Sequence, residues 1–107
     1  VVKLDWKHFS GRLSVENMKG SKGLSVVFEH FDFDATCEIV SFETTYLPLK
    51  ADPVSRVNTG RKWAENTLRI IEQARPGNAY FFDNIMIKCP GDAVPRNLGV
   101  LSFKLIG

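Results

Sequence analysis

The sequence predicts a mostly β fold, an antiparallel immunoglobulin-like β-sandwich with one helix capping an end or an edge. Three observations predict it. Short stretches of apolar and polar alternation recur along the chain, each bounded by turn residues. One segment alone carries a helical apolar period. No β-helix-β pattern recurs, which argues against a doubly wound sheet.

The elements follow in order. Val2, Leu4 and Trp6 share one phase and predict a short strand that ends at the Ser10-Gly11 turn. Leu13 and Val15 alternate with polar neighbours and predict a second strand. Lys19-Gly20-Ser21-Lys22-Gly23 reads as a polar loop, and Leu24 to His30 as a third strand. Cys37 to Leu47 is the strongest β stretch, because Ile39, Val40, Phe42, Thr44, Thr45 and Tyr46 are all β-branched or aromatic. Pro48 and Pro53 break regular pairing, so 48–60 reads as a loop with a short edge strand at Val54 to Val57.

The helix is expected over Arg61 to Ala74. Ala64, Leu68 and Ile71 form its apolar stripe, and Trp63, Thr67, Ile70 and Ala74 widen it. Glu65 and Arg69 make a favourable pair one turn apart. Asn58 or Thr59 is placed to cap the start, and Pro76-Gly77 stops the element. Two strands close the chain. Ala79 to Cys89 carries Phe81, Phe82, Ile85 and Ile87; Cys89-Pro90-Gly91-Asp92 turns it; Leu98 to Ile106 alternates again.

With 107 residues, 44% hydrophobic and 24% charged, this is one ordinary domain, residues 1–107, with enough Phe, Trp and Tyr to fill a core. The net charge is +2, and no basic run exceeds the pair Arg61-Lys62, so the concentrated stripe of a nucleic-acid binder is missing. No apolar run approaches the ~20 residues of a membrane helix. The first residue is Val1 and not Met, so we expect a fragment or a processed chain, with any targeting or anchoring segment upstream.

Cys37 and Cys89 make no metal-type pair such as C-x-x-C. Two readings stand: buried free thiols, or a disulfide between two strands that requires an oxidising compartment. His30, Asp32 and Asp34 would share one face of an extended segment, with Phe31 and Phe33 on the other. One imidazole and two carboxylates can bind a cation or move protons, but no further ligands are identifiable. A solvated polar face over a phenylalanine-filled core explains them better. Asp83 shares a phase with Phe81 and Ile85, so an unbroken strand would bury a carboxylate. A bulge or a hydrogen-bonded turn at Asp83-Asn84 is the better expectation.

Neither cysteine sits beside His8 or His30, and there is no G-x-S-x-G elbow. Gly20 and Gly23 make no nucleotide fingerprint. No enzyme chemistry and no cofactor is expected. Trp6, Tyr46, Trp63 and Tyr80 supply a second class of reading, a carbohydrate-binding module of a cell-surface protein that stacks sugars on aromatic rings.

Several segments form an ordered set: Gly23-Leu24, Phe31-Asp32-Phe33-Asp34, Val40-Ser41-Phe42, then after the helix Pro76-Gly77, Phe82-Asp83-Asn84-Ile85, Pro90-Gly91-Asp92, Arg96-Asn97-Leu98 and Leu101-Ser102-Phe103. Their order and spacing, over roughly residues 10–107, resemble the C-terminal periplasmic domain of the GldM/PorM family of gliding motility and type IX secretion. The resemblance implies a dimeric periplasmic stalk of stacked β domains, anchored in the inner membrane by an N-terminal helix that this segment lacks. The membrane end would couple to a proton-driven motor, and the distal end would contact an outer-membrane-associated ring. Force or conformation would pass through protein contacts, with no catalytic residues. A periplasmic setting would also permit the Cys37–Cys89 bridge. On this reading Phe31, Asp32, Phe33 and Asp34 are scaffold.

Overall fold

The computed structural model describes residues 2–5, 7–26, 37–91 and 93–107. Trp6, His30, Asp92 and the Phe31-Asp32-Phe33-Asp34 segment lie outside the described residues. Eight strands and two short helices are described: β1 Val2–Leu4, β2 Gly11–Ser14, α1 Val15–Lys19, β3 Leu24–Val26, β4 Glu38–Leu47, β5 Val54–Thr59, α2 Glu65–Ile71, β6 Ala79–Lys88, β7 Arg96–Asn97 and β8 Leu101–Ile106. The domain is mostly β, as the alternation predicts.

The main sheet runs β2-β8-β6-β4-β5, with β7 paired to β6, and β1 and β3 form a separate antiparallel ribbon. The sheet is mixed. β2 lies parallel to β8, with Leu13 beside Leu105, and every other pair is antiparallel. This corrects the all-antiparallel expectation. Strands joined by a hairpin must run antiparallel, but most of the chain separates β2 from β8, so neither direction is imposed on them. The described residues form one large sheet and a small ribbon, not two sheets of similar size.

Two elements differ from the periodicity for local reasons. Val15 opens a helix instead of extending a strand, because the Ser14 hydroxyl accepts a hydrogen bond from the Asn17 backbone N–H at 3.0 Å, a side-chain N-cap. The long helix expected from Arg61 begins only at Glu65. Residues 61–63 are instead extended against residues 22–24. Leu24 N–H donates to the Arg61 carbonyl at 3.0 Å and Trp63 N–H to the Lys22 carbonyl at 3.0 Å. Backbone groups used in this pairing cannot also close helical turns. Gly23 permits the approach, since a Cβ there would overlap the Arg61 carbonyl.

The core lies between one face of the main sheet and a cover made of the ribbon, α1 and α2. Phe42, Tyr46, Tyr80, Phe82, Phe103 and Leu105 point inward from the sheet and meet Leu4, Met18, Leu24, Ile70 and Ile71. Strands β4 and β6 each change phase part-way. Ile39 and Phe42 are both buried, and so are Phe82 and Ile85. The β4–β6 register shifts twice, between Ile39 and Ser41 and between Ser41 and Glu43, and Asn84 takes a left-handed φ of 47°. An extra residue on each strand resets its alternation, so both ends of a long pair keep their apolar side chains inward.

Candidate functional site

Of the residues singled out in the sequence, His30, Asp32 and Asp34 lie outside the described residues, and the others are placed as follows. Asp83 sits at the bulge, on the face away from the core, and pairs across the strands with Glu43, whose carboxylate accepts a hydrogen bond from the Asn84 amide at 3.3 Å. Asp83 is half-buried there, and one of its carboxylate oxygens is buried without a hydrogen-bond partner. Among the described residues no cluster of three or more His, Cys, Asp or Glu side chains could hold a metal ion. Ser41 lies between the two register shifts of β4, and Phe42, Ile85 and Phe103 fill the core. Pro76 and Gly77 form the turn into β6, where Gly77 N–H donates to the Leu105 carbonyl at 2.9 Å. Pro90 and Gly91 turn the chain after β6, with Gly91 at a φ of 88°.

Cys37 and Cys89 are joined by a disulfide. Glu38 pairs with Lys88 in the antiparallel ladder, so Cys37 and Cys89 occupy the next rung. The bond fastens the short stretch of β4 and β6 that lies beyond the bulges.

Of the aromatic side chains considered as sugar platforms, Tyr46 and Tyr80 are committed elsewhere, and Trp6 lies outside the described residues. Tyr46 and Tyr80 are buried and stacked, with centroids 4.9 Å apart. Tyr80 donates to the Ile70 carbonyl at 2.6 Å and Tyr46 to the Gln73 carbonyl at 3.1 Å, so two sheet residues satisfy acceptors at the C-terminal end of α2. Asn78 completes the group by donating to the Tyr46 hydroxyl at 2.6 Å. Burial raises the pKa of both phenols. The neighbouring Tyr46 adds to the effect at Tyr80, and Arg75 partly offsets it at Tyr46.

Trp63 lies before the helix, not on its stripe. Its ring stacks on Phe82 at 5.4 Å and meets the edge of Phe42 at 5.8 Å. Its indole N–H donates inward to the Ser21 carbonyl at 2.9 Å and to the Ser21 hydroxyl at 3.2 Å. Asn58, buried on β5, holds the preceding loop. It accepts from Ala64 N–H at 2.6 Å and donates to the carbonyls of Thr59, Gly60 and Lys62. Asn58 therefore organises the approach to α2 rather than capping its first turn.

What remains open beside Trp63 is a cleft of about 500 Å³ between residues 19–22 and α2. Trp63 and Leu68 form its floor, and Lys19, Lys22, Lys62 and Glu72 form its rim. Leu68, expected in the core, is 38% exposed, because Thr67, Ile70 and Ile71 take the inward face of the helix. A second, more polar cleft adjoins it, lined by Asp5, Lys7, His8, Glu16, Lys22 and Arg61. Asp5, at a φ of 48°, uses its carboxylate to accept the Lys22 and Gly23 N–H groups at 2.8 and 3.2 Å.

The family model for the GldM C-terminal domain matches residues 2–106, nearly the whole chain. The chain belongs to the GldM C-terminal domain family. The motif order from Gly23 to Phe103 pointed to the same family. Membership places the chain among GldM proteins of gliding motility and type IX secretion. No curated protein matches the chain. Among the described residues no helix is long and apolar enough to cross a membrane.

Sequence reasoning missed the roles of Asp5 and Tyr80, which act on backbone groups distant in sequence, and that of Asn58 in holding the loop just after it. The signal available for Asn58 was a polar residue at an inward strand position, which needs partners when buried.

Proposed function

We propose that this chain is a non-catalytic protein-interaction domain of a periplasmic secretion or gliding-motility complex. It passes contacts between an inner-membrane motor and an outer-membrane-associated ring, as part of a homodimeric protein anchored in the inner membrane by a segment outside this chain. The family match over residues 2–106 carries the reading. The Cys37–Cys89 disulfide supports a compartment outside the cytoplasm, where such bonds persist. A rigid sheet with a stapled end suits a part that must transmit position rather than rearrange.

The reading is tested by sedimentation of the purified chain with isolated ring components. Co-sedimentation that saturates at a fixed stoichiometry is expected. A chain that stays separate from every ring component at high concentration would remove the proposal. The sugar-binding alternative has no comparable support, because Tyr46 and Tyr80 are buried and stacked on each other, and Trp63, half-buried and stacked on Phe82, stands without a second described aromatic platform beside it.

A further inference from the structure

We propose that the cleft over Trp63 is the docking site for an acidic, extended segment of a partner protein that inserts an apolar side chain between carboxylates. The proposal rests on the reading of this domain as a protein-interaction module and adds the surface and the chemistry of the partner.

Three features carry it. The first is the floor. The Trp63 N–H is turned inward to Ser21, so the part of the ring that faces the cleft offers hydrocarbon only. Leu68 extends this floor from α2 and is 38% exposed, on a helix that had Thr67 available to bury instead. A partly exposed Trp beside an exposed Leu, rimmed by polar groups, is the pattern of an anchor pocket.

The second feature is the rim. Lys19, Lys22 and Lys62 are exposed and surround the floor, against Glu72 alone. The formal charge of this rim is thus positive, whereas the adjoining cleft beyond Lys22 is mixed, with Lys7 and Arg61 against Asp5 and Glu16. Such a rim favours carboxylates that flank an apolar side chain and disfavours a basic segment.

The third feature is rigidity. Backbone pairing of residues 22–24 with 61–63 fixes Lys22 against Trp63, and the Asn58 hydrogen bonds hold the loop that leads into α2. A preformed site binds without an ordering cost of its own. A single-stranded nucleic acid fits less well, since the Trp63 ring already stacks on Phe82 and only one small group of lysines is present. A flat anionic membrane fits less well than a peptide, because the apolar surface offered is only Trp63 and Leu68.

The test uses a short synthetic peptide with a central leucine–phenylalanine pair between aspartates, followed by amide NMR and heat of binding. Saturable binding is expected, with shifts centred on the Trp63 indole, Leu68 and the Lys19 to Lys22 segment. The same peptide with lysines in place of aspartates should not bind. The double variant Lys19→Glu/Lys62→Glu should weaken the acidic peptide by about tenfold and admit the basic one. Unchanged thermal unfolding of that variant establishes that the fold is kept. Three results would overturn the proposal: no saturable binding, binding indifferent to the charge reversal, or binding only to anionic phospholipid vesicles or to a single-stranded oligonucleotide. If the double variant loses the peptide yet still co-sediments with ring components, the cleft is not the ring contact while the broader functional reading stands. If neither variant nor parent meets the ring, the broader reading fails by itself.

Discussion

The Tyr80 hydroxyl donates a 2.6 Å hydrogen bond to the carbonyl of Ile70, tying the start of β6 to the last turn of α2. The donor is fully buried, so no water replaces it when it is lost. Tyr80→Phe should therefore destabilise the domain by about 1–2 kcal/mol. A lower urea midpoint with an unchanged slope is the expected observation.

Burial of the same hydroxyl sets a pH dependence. Burial raises the Tyr80 pKa above the free phenol value of 10.0, and that of Tyr46 in the same direction. The unfolded chain then releases phenolic protons first as pH rises. Stability contributed by the protonated phenols is intact below about pH 10 and is lost progressively above it. Denaturant midpoints measured from about pH 8 to pH 11 should fall at the alkaline end. Tyr80→Phe should flatten the fall, because one of the two titrating groups is gone.

Asn58 concentrates four hydrogen bonds on one buried amide. Asn58→Ala strands Ala64 N–H and three carbonyls, and a loss of about 2–3 kcal/mol is expected. Increased amide exchange should localise to residues 59–64 and to Leu24, whose N–H bonds the Arg61 carbonyl. Exchange spread evenly over the domain would contradict the local role.

The fold was legible where a physical cause is local. Alternation marked β4, β6 and most of β8, and proline marked the loop before β5. Causes that act across the chain were hidden. The helix began late because residues 61–63 pair with 22–24, and no helical period can register a partner so distant. The parallel β2–β8 pair is hidden for the same reason. Asp83 was the instructive position, since its wrong phase marked the place where Asn84 resets the strand. The Trp63 cleft was not legible, because Leu68 fits the apolar stripe yet faces outward.

Removing the Cys37–Cys89 bond frees a loop of sequence separation 52. Cys37→Ala/Cys89→Ala should cost about 2–4 kcal/mol, mainly through the unfolded chain. Thermal unfolding of the parent with and without reductant should reproduce the difference. No response to reductant would show that the bond does not staple the domain.

The claim that this domain passes protein contacts is met most directly in the full-length protein that carries it. Residues 2–106 are excised, and co-isolation of the outer-membrane-associated ring with the inner-membrane motor is quantified after crosslinking. The account predicts that the ring is lost from the isolate while the motor remains. Undiminished recovery of the ring with the excised protein would contradict it.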